Sequence, residues 1–176
     1  KDPDGLIVKL VGVEMTTPAP LADAPTRLRG VTLLTDKAEE TAGFLARFGY
    51  TGRDQAGLTR RMASDSDVVD VREVSGFVPS VPGAGVPDHV AFRARDAGDV
   101  RSMRLALKDH GPTEVHDRKY FLSLYVRDPA GILIEYATDG PGMTADEASD
   151  RLGETLFIPP RDAGRVLITT LLGEPT

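Results

Sequence analysis

Apolar and polar residues follow two different periods along this chain of 176 residues. Six stretches are apolar at every second position or nearly throughout, which predicts strands at 28–35, 57–63, 68–74, 88–94, 119–127 and 132–138. Two further stretches carry an apolar residue every three to four positions, which predicts amphipathic helices with Asp36 and Asp96 as their N-caps. Strand, helix and further strands occur twice in this order, so we predict two units of one layout.

Two similar sequences support this repeat. The chain opens with KDPDGLIVKL at 1–10, and RDPAGILIEY follows at 127–136, so that two Asp-Pro-X-Gly turns lie 126 positions apart. Aligning the strand that contains Gly30 with the strand that contains His89 gives a spacing of 59. Because the longer spacing is close to twice the shorter one, the repeat is about 60 residues long, which is one βαβββ unit. The predicted fold class is therefore α+β, with tandem βαβββ units.

Composition excludes several classes of function. The formal net charge is −6, and an acidic surface repels phosphate backbones, which argues against nucleic acid as a partner. No apolar run approaches the roughly 18 residues that a membrane helix needs, so no membrane association is expected. The absence of cysteine excludes disulfides and thiolate-bound metals. No signal peptide is visible, and we expect a cytoplasmic protein.

The candidate chemistry lies in the second unit. Glu135 stands in an apolar strand, and a buried carboxylate must be ion-paired, hydrogen-bonded, protonated or bound to a metal. His89 opens the first strand of the same unit, and the two side chains can point into one concavity if these strands lie close in one sheet. A neutral imidazole and a carboxylate suit Fe(II), Mn(II) or Zn(II). The alternatives are a histidine bonded to the backbone and a glutamate paired with Arg118 or Arg127.

Three segments resemble a known family: DHVAF at 88–92, DRKYFLSLYVRDPAGILIEYATDGPGM at 117–143 and LGETLFIPP at 152–160. Together they resemble the C-terminal half of ring-cleaving dioxygenases of the vicinal oxygen chelate superfamily, and the most similar class acts on hydroquinones. The resemblance implies four βαβββ modules in the whole protein, paired into cup-shaped mixed sheets. The expected organisation is a last hairpin of a preceding module over 1–11, a linker over 12–27, a module without metal ligands over 28–76, a linker over 77–87, a module with metal ligands over 88–140, and a C-terminal helix and tail over 141–176.

This resemblance also implies an activity and a cofactor. Such enzymes use non-haem Fe(II), held by two histidines and one glutamate, to cleave a hydroquinone- or catechol-type diol with O2. His89 and Glu135 match two of these ligands, and Mn(II) or Zn(II) are alternative metals. The matching strand start of the other module carries Arg29 and Gly30 and supplies no ligand, so the remaining histidine is expected outside this chain. The expected partners are a small aromatic substrate, O2, and either further copies of the chain or a missing N-terminal half.

Three more residues match family positions near the substrate. The resemblance implies that Arg118 stabilises developing negative charge and that Tyr125 donates a hydrogen bond to the substrate or to oxygen. Asp88 stands where the hydroquinone enzymes often have a second histidine, and it can serve as an acceptor or base. The alternatives are a structural salt bridge for Arg118 and a core position for Tyr125. His116 is expected outside the site.

Two other functions fit the same fold. One is a metal-dependent, glyoxalase-like lyase or isomerase, a class that usually builds its site from paired modules with two glutamate ligands. The only sequence position that we match to a second glutamate is Lys9, which ranks this function lower. The other is a metal-free protein that binds a small aromatic molecule.

Overall fold

The computed structural model describes residues 1–3, 5–12, 27–76, 83, 86–155 and 157. The interior of the predicted linker at 12–27, most of the predicted linker at 77–87 and the tail after Phe157 therefore lie outside the described residues. The structure assigns a short 3₁₀ helix at Met143–Ala145 in the segment where a C-terminal helix is expected. No helix in the described part of the chain is both long and apolar enough to cross a bilayer.

The first set of elements forms a four-stranded mixed sheet with one helix. Strand β1 spans Gly30–Thr35, helix α1 spans Ala38–Leu45, and strands β2, β3 and β4 span Thr51–Ala56, Thr59–Ala63 and Val68–Glu73. The order in the sheet is β1-β4-β3-β2. Strand β1 pairs parallel with β4, and the other two pairs are antiparallel. This is one βαβββ unit.

The second set repeats this plan. Strand β5 spans Val90–Ala94, helix α2 spans Ala97–Ala106, and strands β6, β7 and β8 span His116–Asp117, Leu122–Arg127 and Leu133–Thr138. The order β5-β8-β7-β6 has the first and last strands of the unit side by side, as in the first sheet. The predicted α+β class with tandem βαβββ units is confirmed.

By packing, the chain divides into two compact packing units, whose bounds differ from those of the two βαβββ units: residues 1–90 with 126–134, and residues 91–125 with 135–176. Each unit has its own apolar core. In the first unit the core includes Leu33, Phe44, Leu45, Val69 and Val71, and in the second it includes Phe92, Val100, Leu107, Leu124 and Tyr136. The buried residues of β1 and β5 lie two positions apart, which is the strand period on which the prediction rested.

The two helices begin differently. Helix α2 is capped as predicted, because the Asp96 carboxylate accepts the backbone N–H of Asp99 at 2.8 Å. The prediction that Asp36 caps α1 is wrong. The N-cap is Lys37, and its backbone N–H donates to the Thr35 hydroxyl at 2.9 Å. A hydroxyl at the end of β1 thus bonds the chain as it enters the helix, and the structure shows no side-chain cap at this N-cap.

The two Asp-Pro-X-Gly turns have the same hydrogen bonds. In each turn the aspartate carboxylate accepts the N–H of the residue four positions later, at 2.7 Å for Asp2 and 2.8 Å for Asp128. In each turn the glycine, Gly5 or Gly131, donates its N–H to the aspartate carbonyl and has a positive φ, 91° or 88°. The second turn leads into β8, whereas residues 5–12 after the first turn belong to neither sheet.

Candidate functional site

Glu135 provides a buried carboxylate in the second unit. It is the third residue of β8, and only 4% of its surface is exposed. It lines a pocket of about 260 Å³ with mainly apolar walls, whose other members are Ala91, Phe92, Arg93, Phe121, Ala137, Thr138 and Asp139. The predicted burial of Glu135 is confirmed. Buried ionisable groups in apolar pockets are common at functional sites.

A larger pocket of about 450 Å³ in the same unit contains none of the predicted site residues. Its lining includes Tyr120, Met143, Asp146 and Phe157. The Asp146 carboxylate in this pocket accepts hydrogen bonds from the Lys119 ammonium and the Tyr120 hydroxyl, and these bonds lower its pKa. The smaller pocket is the candidate site, because it contains the predicted site residue Glu135.

The rim of the Glu135 pocket carries an ion pair that the sequence reasoning missed. The Nε atom of Arg93 donates to Asp139 at 3.0 Å. Both side chains are largely exposed, so the pair contributes no more than about 1 kcal/mol to stability. Arg93 shares the two-residue period of His89 and Ala91, which is the signal that could have placed it in the site.

Arg118 and Tyr125 lie together, next to His116. The Arg118 guanidinium carbon is 5.6 Å from the centroid of the Tyr125 ring, and the His116 ring centroid is 5.9 Å from the same ring. The first contact has the geometry of a cation–π interaction. These three residues do not line the Glu135 pocket itself. His116, which we expected outside the site, therefore belongs with two predicted site residues.

Strand alternation relates Tyr125 to the pocket. Phe121, Ser123 and Tyr125 are two positions apart along β7 and its entry, so they share one face of the strand. Phe121 lines the pocket together with Glu135. Ser123 on this face is fully buried, and its hydroxyl has no hydrogen-bond partner among the described residues. The side of β7 that contributes Phe121 to the pocket therefore also carries the hydroxyl groups of Ser123 and Tyr125.

The other arginine considered as a partner of Glu135 bonds elsewhere. The Nη1 atom of Arg127 donates to the Gly131 carbonyl at 2.7 Å, which closes the turn between β7 and β8.

Asp88 and His89 lie in the first packing unit, directly before β5. The Nδ1 atom of His89 is 2.9 Å from the Oδ2 atom of Asp88. The side chain of His89 is 32% exposed and that of Asp88 is 75% exposed. Asp88, which we considered as an acceptor for substrate, thus contacts the ring of the predicted metal ligand. Glu135 belongs to the second packing unit.

The donor atoms at these positions are those that Fe(II), Mn(II) and Zn(II) accept. Glu135 fits a metal ligand because it is a carboxylate held out of water in a pocket, and His89 offers an imidazole without competition from thiolates. Among the described residues there is no group of three or more His, Asp or Glu side chains arranged to hold a metal ion. His89 and Glu135 therefore fit two members of a larger set of metal ligands.

The first unit carries a second carboxylate at the equivalent position. Asp70 is the third residue of β4, as Glu135 is of β8, and it is 7% exposed. Arg61 donates two hydrogen bonds to it, at 2.8 and 3.0 Å, and these lower the pKa of Asp70. The ammonium group of Lys9 lies 3.7 Å away. The sequence reasoning matched only Lys9 to Glu135 and missed Asp70, although an acidic residue within the apolar run 68–71 was a visible signal.

Comparison with known proteins yields two informative relatives, while no family model matches the chain. Over 157 residues, 86% of its length, the chain is 35% identical to "Putative ring-cleaving dioxygenase MhqE" of Bacillus subtilis strain 168, of which it covers 52%. Over 85 residues, 47% of its length, it is 35% identical to the chlorohydroquinone/hydroquinone 1,2-dioxygenase of Sphingobium indicum, of which it covers 26%. The chain spans about half the length of the first relative.

Solved structures agree with these relatives. The crystal structure described as a "putative dioxygenase" from Bacillus subtilis matches with a TM-score of 0.70 and 31% identity, covering 82% of this chain and 48% of that one. A glyoxylase/bleomycin resistance protein/dioxygenase domain from Frankia sp. EAN1pec matches with a TM-score of 0.55 and 16% identity, covering 69% of this chain and 97% of that one. The second match shows the fold alone.

Proposed function

Since the chain is homologous to ring-cleaving dioxygenases over most of its length and has the glyoxalase/bleomycin resistance (vicinal oxygen chelate) fold, we propose that it forms the C-terminal portion of such an enzyme. The proposed reaction is the cleavage of a hydroquinone- or catechol-type aromatic ring with O2. The observation that carries this proposal is Glu135, a buried carboxylate in a pocket walled by Phe92 and Phe121. The hydroquinone substrate class is supported by the activity in the name of the Sphingobium relative.

His89 and Glu135 are the proposed ligands of a non-haem Fe(II) ion, with Mn(II) or Zn(II) as alternatives. The sheet order supports this pairing, because β5, which starts one residue after His89, neighbours β8, which carries Glu135. When bound, the iron would supply the redox chemistry that allows O2 to react with the aromatic diol. In this proposal the third protein ligand comes from outside the described residues.

The chain's own side chains would bind and orient the ring. Phe92 and Phe121 offer aromatic surface to the substrate, and the small side chains of Ala91 and Ala137 leave room between them. The apolar part of the pocket lining also lowers the local polarity, which strengthens electrostatic interactions there. The hydroxyl of Tyr125 is the proposed donor to a substrate oxygen, and Arg118 beside its ring is the proposed source of positive charge.

The test is iron binding together with oxygen uptake. We expect Glu135→Gln to lower the Fe(II) content of the reconstituted protein and to reduce O2 uptake with hydroquinone by at least about 100-fold, since an amide is a poor substitute for a carboxylate ligand. The matched control is Glu114→Gln, which removes an exposed carboxylate that pairs with Arg104. Equal iron content and turnover in Glu135→Gln and Glu114→Gln would reject the proposal. Binding of hydroquinone by the metal-free protein without turnover would instead indicate a binding protein.

A further inference from the structure

The contact between Asp88 and His89 favours one position for the proton on a neutral His89 ring. A neutral imidazole has one N–H donor and one nitrogen with a lone pair, and a carboxylate can only accept. Because the Asp88 carboxylate lies 2.9 Å from Nδ1, the proton belongs on Nδ1 and the lone pair on Nε2. Nε2 is then the nitrogen that can bind a metal ion.

We propose that Asp88 is a positioning residue that holds His89 in the Nδ1–H tautomer and so presents Nε2 to the metal. This inference rests on the proposed function for the metal, while the pairing of Asp88 with His89 stands on the geometry. A carboxylate bonded to the outer nitrogen of a metal-binding histidine fixes the orientation of the ring and raises the basicity of the ligand nitrogen. The role of Asp88 in this proposal is to act through His89 rather than on the substrate.

The local chain is suited to this role. Asp88 and His89 stand between Pro87, whose ring restricts its own φ, and Val90, the first residue of β5. The two side chains are thus carried by a short segment that is restrained on both sides. The carboxylate is the more exposed partner, at 75% against 32% for the imidazole, so it lies on the solvent side of the ring. The negative charge of Asp88 also attracts a divalent metal ion bound to His89.

The first experiment measures the tautomer in the metal-free protein. The chain has three histidines, so proton–nitrogen correlation spectra of the imidazole rings can be assigned with single His→Gln variants. At about pH 8.5, where an ordinary imidazole is neutral, we expect the Nδ1–H tautomer for His89 and a loss of this preference in Asp88→Ala. The matched control is Asp109→Ala, because Asp109 precedes His110 as Asp88 precedes His89. An Nε2–H tautomer of His89 in the unaltered protein would overturn the proposal.

The second experiment measures Zn²⁺ affinity by calorimetry, with Zn²⁺ as a redox-inert probe. We expect Asp88→Ala to weaken binding by about 10- to 100-fold, Asp88→Asn to weaken it less because the amide oxygen still accepts, and Asp109→Ala to leave it unchanged. Unchanged affinity in Asp88→Ala would overturn the positioning role. If His89→Ala binds Zn²⁺ as well as the unaltered protein, the metal assignment of the proposed function fails and the positioning role fails with it. The tautomer measurement would in that case still report whether Asp88 and His89 pair.

Discussion

At the scale of single residues, the molecule uses one strand position in two ways. Asp70 and Glu135 are both the third residue of the last strand of a βαβββ unit, and both are buried. Around Asp70, two hydrogen bonds from the Arg61 guanidinium and the nearby Lys9 ammonium supply the positive charge. Glu135 lines a pocket with mainly apolar walls. Two cationic side chains, Arg61 and Lys9, thus lie beside Asp70. At the equivalent position, Glu135, a metal ion is proposed.

Removing Arg61 tests the structural role of Asp70. We expect Arg61→Ala to lower the free energy of unfolding by about 1 to 2 kcal/mol, because it leaves a buried carboxylate without its two-hydrogen-bond partner, although the exposed side of Arg61 moderates the loss. Chemical denaturation near neutral pH measures this. The neighbouring Arg60→Ala, which breaks a more exposed pair with Glu39, is the control and should cost much less. Equal losses in both variants would show that burial of Asp70 is not the cause.

At the scale of elements, the predictions succeeded where a strand is largely buried. The predicted strands 68–74 and 132–138 differ from β4 and β8 by only one residue at an end, because each is a nearly continuous apolar run with three consecutive buried residues. Strand β2 was missed because all six of its residues are exposed and polar or small, so its edge position produces no apolar signal. Strand β6 was missed because it has only two residues. Both are edge strands in their sheets.

The start of α2 provides a prediction of pH dependence. The Asp99 carboxylate accepts hydrogen bonds from Arg95 and from the Tyr136 hydroxyl on β8, and these lower the pKa of Asp99 to about 2. A carboxyl group whose pKa is lower in the folded state stabilises the fold above its unfolded pKa, and this contribution disappears as the pH falls through the folded pKa. We therefore expect Asp99→Asn to destabilise the protein by about 1 kcal/mol near neutral pH, after allowance for the exposed Arg95.

The same measurement, repeated at lower pH, checks the cause. The difference between Asp99→Asn and the unaltered protein should shrink between about pH 4 and pH 2, the interval between the unfolded and folded pKa values. The exposed Asp150→Asn serves as the control and should show no such change. A difference that stays constant over this interval would mean that the substitution acts through altered packing rather than through lost charge.

At the scale of the whole molecule, contacts between distant parts of the sequence complete the first packing unit. The Thr41 hydroxyl on α1 donates to the Asp128 carboxylate at 2.7 Å, and both residues are buried. Lys37 before the same helix donates to the Pro129 carbonyl at 2.9 Å. The turn between β7 and β8 is thus bonded to a helix 87 positions earlier in the chain. The same Asp128 carboxylate also organises the turn itself.

We expect Thr41→Val to lower the free energy of unfolding by about 1 to 3 kcal/mol, because the shape is kept while a buried carboxylate oxygen loses its donor. Thermal and chemical denaturation measure the effect. The control is Thr32→Val in β1, where the residue is exposed and its hydroxyl accepts a hydrogen bond from the Lys9 ammonium at 3.2 Å. A loss no larger than that of Thr32→Val would show that the contact between α1 and the turn contributes little.

The sequence by itself determined the order of the elements other than β2 and β6, the repeat, the cap of α2 and the placement of Glu135 in a buried strand. These features follow from the local pattern of apolar residues, from turn residues and from hydrogen bonds between near neighbours, all of which can be recognised in the sequence. Only the tertiary structure decided the partners of the charged groups: Arg61 for Asp70, Asp139 for Arg93, and Thr41 for Asp128. These pairs depend on sheet order and long-range packing, which bring together residues whose spacing in the sequence carries no period.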